Sequence, residues 1–169
     1  TGYASNSAGT SCHVSNQSQT QIQNNQQSLN SQIDGYFNGW NGESVYKLIN
    51  GQFWKQNSPY LYAYISINPM VSIYSASNGY KMHVDGTTGQ DADVIQISVM
   101  ESKIDGEFKG WEGETIYPLT NGQIWQQSSY HYHYHYAYSP VVWIYRSGGG
   151  YKMHVVGDTD QEISVIRIQ

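Results

Sequence analysis

The sequence predicts an all-β protein: two tandem small antiparallel units, barrel- or sandwich-like, preceded by a polar N-terminal arm. Three observations carry this. Blocks of sequence return at a constant offset of 71 residues. Runs rich in Val, Ile, Tyr and Trp are punctuated by Gly, Asn and Pro roughly every ten residues, the spacing of short strands and turns. The stretch before Asp34 contains no Asp, Glu, Lys or Arg, so the chain changes character there.

The arm, residues 1–32, is mostly Ser, Thr, Asn and Gln, with Val14, Ile22 and Leu29 as its large aliphatics. It has too little apolar surface to offset its ordering entropy. Ile22, Leu29 and Ile33 are seven and four apart, which predicts a helix over 17–32 capped by Ser15 or Asn16. A β arm added to a sheet edge is the alternative reading. Cys12 is the single cysteine, so an intrachain disulfide is excluded and a free or intermolecular thiol is implied.

The remainder is a tandem repeat. Ile33-Asp34-Gly35-Tyr36-Phe37-Asn38-Gly39-Trp40 returns as Ile104-Asp105-Gly106-Glu107-Phe108-Lys109-Gly110-Trp111. Asn50-Gly51-Gln52-Phe53-Trp54 returns as Asn121-Gly122-Gln123-Ile124-Trp125, and Gly79-Tyr80-Lys81-Met82-His83-Val84 as Gly150-Tyr151-Lys152-Met153-His154-Val155. Two repeats are too few for a solenoid, so each copy is a self-closing unit of SH3-like size, over 33–98 and 99–169.

Within a unit, the Asn-Gly dipeptides predict hairpins with type I′ turns. Pro118 lacks an N–H and predicts an edge strand or a break. Tyr130 to Tyr138 alternates with His131, His133, His135 and Ala137, which predicts one strand with tyrosines on one face and histidines on the other. Val141–Tyr145 is strongly β-prone. Gly148-Gly149-Gly150 turns the chain into Tyr151–Val155, and Ile163–Ile168 closes the unit.

The combined motif Ile-Asp-Gly-Glu-Phe-Lys-Gly-Trp, Asn-Gly-Gln-Ile-Trp-Gln-Gln, alternating tyrosines and Gly-Gly-Tyr-Lys-Met resembles a group of small bacterial secreted β-domain proteins that carry one copy. It covers 102–157 closely and 33–86 more loosely. The resemblance implies export and a small β-domain, and attaches no activity.

Composition excludes several classes. Of 169 residues, 38% are hydrophobic, 14% aromatic and 12% charged, with a net charge of -5. The aromatic load, 16 Tyr and 5 Trp, argues against disorder. The negative balance gives no electrostatic footprint for nucleic acid, and no apolar run is long enough for a membrane-spanning helix. A surface rich in neutral polar residues, and a start at Thr-Gly-Tyr, point to a secreted, extracellular or cell-surface protein.

The candidate chemistry is sparse. His131, His133 and His135 on one strand face offer a Zn or Cu site, because two imidazoles two residues apart can ligate one ion. The missing ligand would come from an adjacent strand, with His154 a candidate. The competing reading is a merely polar strand face. Tyr130, Tyr132, Tyr134, Tyr136 and Tyr138 offer an aromatic face for sugar rings, while most of the Trp residues belong in the core. Asp34, Glu43, Asp105 and Glu114 recur as paired acids, the residue type glycoside hydrolysis uses, but their Gly-flanked contexts read as turns and caps. No catalytic residues and no required cofactor are expected. The leading expectation is a secreted, non-enzymatic structural or adhesive protein. It would assemble with itself into an oligomer or filament through Cys12, Ile22 and Leu29 of the arm. The alternative is a glycan- or cell-envelope-binding module using the aromatic surface.

Overall fold

The computed structural model describes residues 28–158 and 162–169. The arm's Cys12 and Ile22, and the predicted helix up to residue 27, lie outside the described residues. All regular structure among the described residues is β. The first unit runs β1 (Leu29–Gln32), β2 (Tyr36–Phe37), β3 (Trp40–Asn41), β4 (Val45–Lys47), β5 (Phe53–Gln56), β6 (Leu61–Tyr62), β7 (Ser66–Ile67), β8 (Met70–Ala76), β9 (Gly79–Val84) and β10 (Ala92–Ile97). The second runs β11 (Val99–Lys103), β12 (Glu107–Phe108), β13 (Trp111–Glu112), β14 (Ile116–Pro118), β15 (Ile124–Gln127), β16 (Tyr132–His133), β17 (Ala137–Tyr138), β18 (Val141–Ser147), β19 (Gly150–Val155) and β20 (Ile163–Arg167). Only Ser98 separates the last strand of one unit from the first of the next.

Each unit is a six-stranded antiparallel sheet, in the order β1-β8-β9-β10-β5-β4 and β11-β18-β19-β20-β15-β14. The two sheet edges curl toward each other and meet at single bridges, Ile33 with Leu48 and Ile104 with Leu119. Backbone bonds extend each contact, Asp34 N to Lys47 O at 2.9 Å and Asp105 N to Pro118 O at 2.8 Å. This partial closure covers unpaired edge groups that would otherwise template aggregation. Pro118 lies on the edge strand β14, as its missing donor requires.

Alternation along the strands fills the interior. Ile33, Leu48, Val71, Ile73, Met82, Val84, Ala92 and Val94 are buried in the first unit. Ile104, Leu119, Val142, Ile144, Met153, Val155, Ile163 and Val165 are buried in the second. Trp40, Trp54, Trp111 and Trp125 join these cores. Trp143 instead meets Phe53 of the other unit edge-on, with ring centroids 5.1 Å apart. Lys47 with Glu101 at 2.8 Å, and Lys152 with Glu43, also cross between the units. The Lys152 ammonium holds the Glu43 carboxyl below the usual range, against an opposing contribution from partial burial.

Three expectations are corrected. First, residues 29–32 are not the end of a helix but a strand on the sheet edge, as the alternative β-arm reading has it, and Leu29 packs on the core of its own unit. Ser31 and Ile33 are buried on the same side, a period of two that an available sheet edge selects over the helical spacing. Second, the hairpins form at Asn50-Gly51 and Asn121-Gly122, but not with type I′ turns. Only the glycines have positive φ there, 83° and 84°. Leu48 O accepts from Gly51 N at 2.8 Å, and Leu48 N donates to Gln52 O at 2.8 Å. That is a type I turn closed by a left-handed glycine bulge, and the asparagine Oδ1 caps it by accepting from Gln52 N at 3.0 Å. Third, 130–138 is not one strand. It breaks into β16 and β17, which pair with β13 and β12.

These short strands rest on a close passage of backbone. Gly39 and Gly110 have φ of 86° and 99°, and a Cβ there would lie 2.0 Å from Tyr62 O and 1.8 Å from His133 O. Gly110→Ala is expected to destabilise by about 3 kcal/mol or more, combining left-handed strain with a backbone clash. Gly122→Ala meets nothing within 4 Å and is expected to lose only about 1–2 kcal/mol. Urea unfolding midpoints of the two variants check the difference.

Candidate functional site

The segment 130–138 has two chemically distinct faces, and the site is built from both. Its position is set first by Gln127, a buried side chain at the end of β15. Gln127 Oε1 accepts from Gly113 N at 3.1 Å, and Nε2 donates to Ser129 O and His131 O, both at 2.9 Å. Gln56 repeats this in the first unit, with Gly42 N at 2.7 Å and Tyr60 O at 2.6 Å. Beneath the segment lies an aromatic trio. Phe108 meets Trp111 edge-on at 5.1 Å, and Trp111 meets Tyr117 at 5.4 Å. Tyr117 donates to Gly110 O at 2.9 Å, and burial pushes its hydroxyl pKa up to about 12.

On the outer face, Tyr130, Tyr132, Tyr134, Tyr136 and Tyr138 are all exposed, from 53% at Tyr136 to 89% at Tyr130. Glu107 stands opposite Tyr138 and Glu112 opposite Tyr132 in the strand register. Tyr136 donates to Glu107 Oε1 at 3.4 Å. In the first unit the equivalent outward residues include Leu61, Ile65 and Ile67.

On the inner face the offset of 71 aligns His131, His133 and His135 with Tyr60, Tyr62 and Tyr64. Those three tyrosines stack in series, each pair 6.1 Å apart. Tyr64 leans on Phe37 at 6.3 Å, and His135 leans on Phe108 at 6.2 Å. The tyrosine hydroxyls reach the turn after β9, where Thr88 N donates to Tyr62 and Gln90 N to Tyr60, both at 3.2 Å. In the second unit the corresponding turn carries Asp158, which is buried. Asp158 Oδ1 lies 3.3 Å from His133 Nε2 and 3.8 Å from His135 Nδ1. The three donor atoms all lie within 4.8 Å of one another.

His133 and His135 thus come together as the sequence suggests, while His131 is not in this group. His154 is not in it either: it packs at a tilt against Trp143, with ring centroids 5.1 Å apart. Burial lowers the pKa of His154, opposed by the charge of Asp158. Sequence reasoning passed over Asp158. The offset could have found it, since Asp158 replaces Thr87 beside Gly157.

A second polar group was also missed. Tyr74 donates to Asp91 Oδ2 at 2.5 Å, and His83 Nδ1 lies 2.8 Å from Asp91 Oδ1. Burial opposes ionisation of Asp91, but Tyr74, His83 and Lys81 together leave its pKa below the usual range. The Tyr74 hydroxyl is pushed up to about 12, chiefly by its bond to Asp91. The second unit has Tyr145, Glu162 and His154 in these places. The Tyr145 hydroxyl is buried with no hydrogen-bond partner among the described residues, and burial raises the Glu162 pKa. The group ties neighbouring strands together in one unit and is dismantled in the other.

Between the units lies a mainly apolar cleft of about 570 Å³, lined in part by Tyr36, Val45, Ile65, Trp143, His154 and Asp158. No protein-family model, curated protein or solved structure matches the chain. Among the described residues no helix is long and apolar enough to cross a membrane.

Gln127→Leu removes the partner of three backbone groups. It is expected to cost about 2–4 kcal/mol, because unsatisfied polar groups carry their desolvation penalty. Hydrogen exchange should show the added opening concentrated in 129–135, with the first unit unaffected.

Proposed function

We propose that the protein is an exported, non-catalytic binding module that holds a neutral glycan against the tyrosine face of its second unit. The observation that carries this reading is the row of five exposed tyrosines on one short segment. Burying such rings would stabilise a fold, and leaving them in water does not. A contiguous exposed aromatic patch marks an interaction site. A sugar ring offers a C–H face that stacks on an aromatic ring and a rim of hydroxyls that needs acceptors. Glu107 and Glu112 stand beside the rings and supply them. The same carboxylates and the net charge of -5 disfavour uronic acids and sulfated chains.

Pull-down and calorimetry against soluble and insoluble polysaccharides test the reading. Binding to a neutral polysaccharide is expected, with Tyr132→Ala plus Tyr134→Ala weakening it roughly tenfold or more while the unfolding midpoint barely moves. Failure to bind any neutral polysaccharide, or unchanged binding by the double variant, would overturn it.

Self-assembly is the second reading, favoured by the exposed aliphatic side chains of Leu61, Ile65 and Ile67 in the first unit. Sedimentation of the full chain against a chain starting at residue 28 checks it. Assembly through the arm expects oligomers that disappear on truncation, and a monomer at every accessible concentration would dismiss that reading.

A further inference from the structure

We propose that His133, His135 and Asp158 form a mononuclear site for a divalent transition metal, zinc or copper(II), which ties the 131–135 segment to the turn after β19. The inference stands apart from the glycan reading, because it uses the inner face of the segment rather than the tyrosines.

The donor set fits. Two neutral imidazoles and one carboxylate suit a borderline-soft ion such as zinc or copper(II), and not calcium or magnesium, which take oxygen ligands. At bond lengths of about 2.0–2.2 Å, tetrahedral donor atoms sit roughly 3.4 Å apart. Asp158 Oδ1 already stands at 3.3 and 3.8 Å from its two imidazole nitrogens. Bringing all three donors into place needs only small side-chain rotations. The fourth position falls to water or to an exogenous ligand.

The scaffold holds these donors in position. His133 lies in β16, paired to Trp111, and its carbonyl is packed against Gly110. His135 is braced by Phe108. The carboxylate is nine-tenths buried or more, its side chain only 4% exposed. It is carried by a turn in which Asp158 N donates to Val155 O at 3.1 Å.

Comparison between the units gives the site a purpose. In the first unit the segment is fastened to the equivalent turn by tyrosine hydroxyls, Tyr62 to Thr88 and Tyr60 to Gln90. Replacing Tyr60, Tyr62 and Tyr64 by histidines removes three hydroxyls, two of which bond the turn in the first unit, and shortens the side chains. Replacing Thr87 by Asp158 places an anion beneath those imidazoles. The changes on two separate elements are complementary, and a shared cation would link the same two elements that the phenols link in the first unit. The competing outcome is a plain imidazolium–carboxylate pair, which needs no metal.

The test uses the full chain and the metals alone. Calorimetry and metal analysis with Zn²⁺, and Cu²⁺ in parallel, should give one equivalent bound per chain, and binding should raise the melting temperature by mass action. Co²⁺ should report the geometry through its visible spectrum. His133→Tyr and His135→Tyr restore the residue types that the first unit carries at those places, so they test the site without emptying it. Each of these, and Asp158→Asn, is expected to weaken binding roughly tenfold or more. His131→Tyr should change it less than about twofold. Amide exchange at Gly157 and Asp158 should slow when metal is added to the wild type and not in His133→Tyr. No binding at about 1 mM free metal, equal affinity in all the variants, or a loss on His131→Tyr matching that on His133→Tyr would overturn the assignment.

Discussion

The close passage of Gly110 against the His133 backbone, repeated by Gly39 against Tyr62, is the constraint on which the candidate site depends. No side chain fits between these two stretches of chain. Their contact lets β12 and β13 fold back on β17 and β16 and form a flap beside the main sheet. The carbonyls of Gly39 and Gly110 are held from below by the phenols of Tyr46 and Tyr117. Burial raises both phenol pKa values, so they remain hydroxyl donors well above neutral pH. The flap, the aromatic trio and the sheet are therefore fastened at one point.

That point of support is common to both units, and the residues placed on it are not. The first unit stacks three tyrosines inward and turns aliphatics outward. The second turns tyrosines outward and presents histidines to a buried carboxylate. A duplicated scaffold lets one copy keep a self-sufficient aromatic packing while the other takes on polar chemistry. The tyrosine–carboxylate–histidine group runs the other way: it is joined through Asp91 in the first unit, while the second leaves the Tyr145 hydroxyl without a partner among the described residues.

The units are also fitted to each other. Trp143 stands where the first unit has Ser72, and its ring reaches Phe53 across the junction. The single-residue connection at Ser98 keeps the units adjacent, and the ion pairs Lys47–Glu101 and Lys152–Glu43 flank the apolar contact. The cleft they leave is bordered by Asp158, the residue whose carboxylate also meets His133.

The sequence by itself determined the duplication, the all-β class, the places of the hairpins and the edge position of Pro118. These follow from local rules: turn chemistry, β-branched and aromatic runs, and a missing donor. It also determined that 130–138 has two faces. A period of two is symmetric, however, and does not say which face turns inward. Tertiary structure decided that, because the places occupied by Tyr60, Tyr62 and Tyr64 lie over the aromatic trio and His131, His133 and His135 inherit them. It also decided that Leu29–Gln32 is a strand, because the edge of β8 offers hydrogen bonds that a lone helical turn cannot match. Asp158 was beyond local reasoning for the same cause: its partners are distant in sequence, and only the curl of the sheet brings the turn after β19 beneath β16.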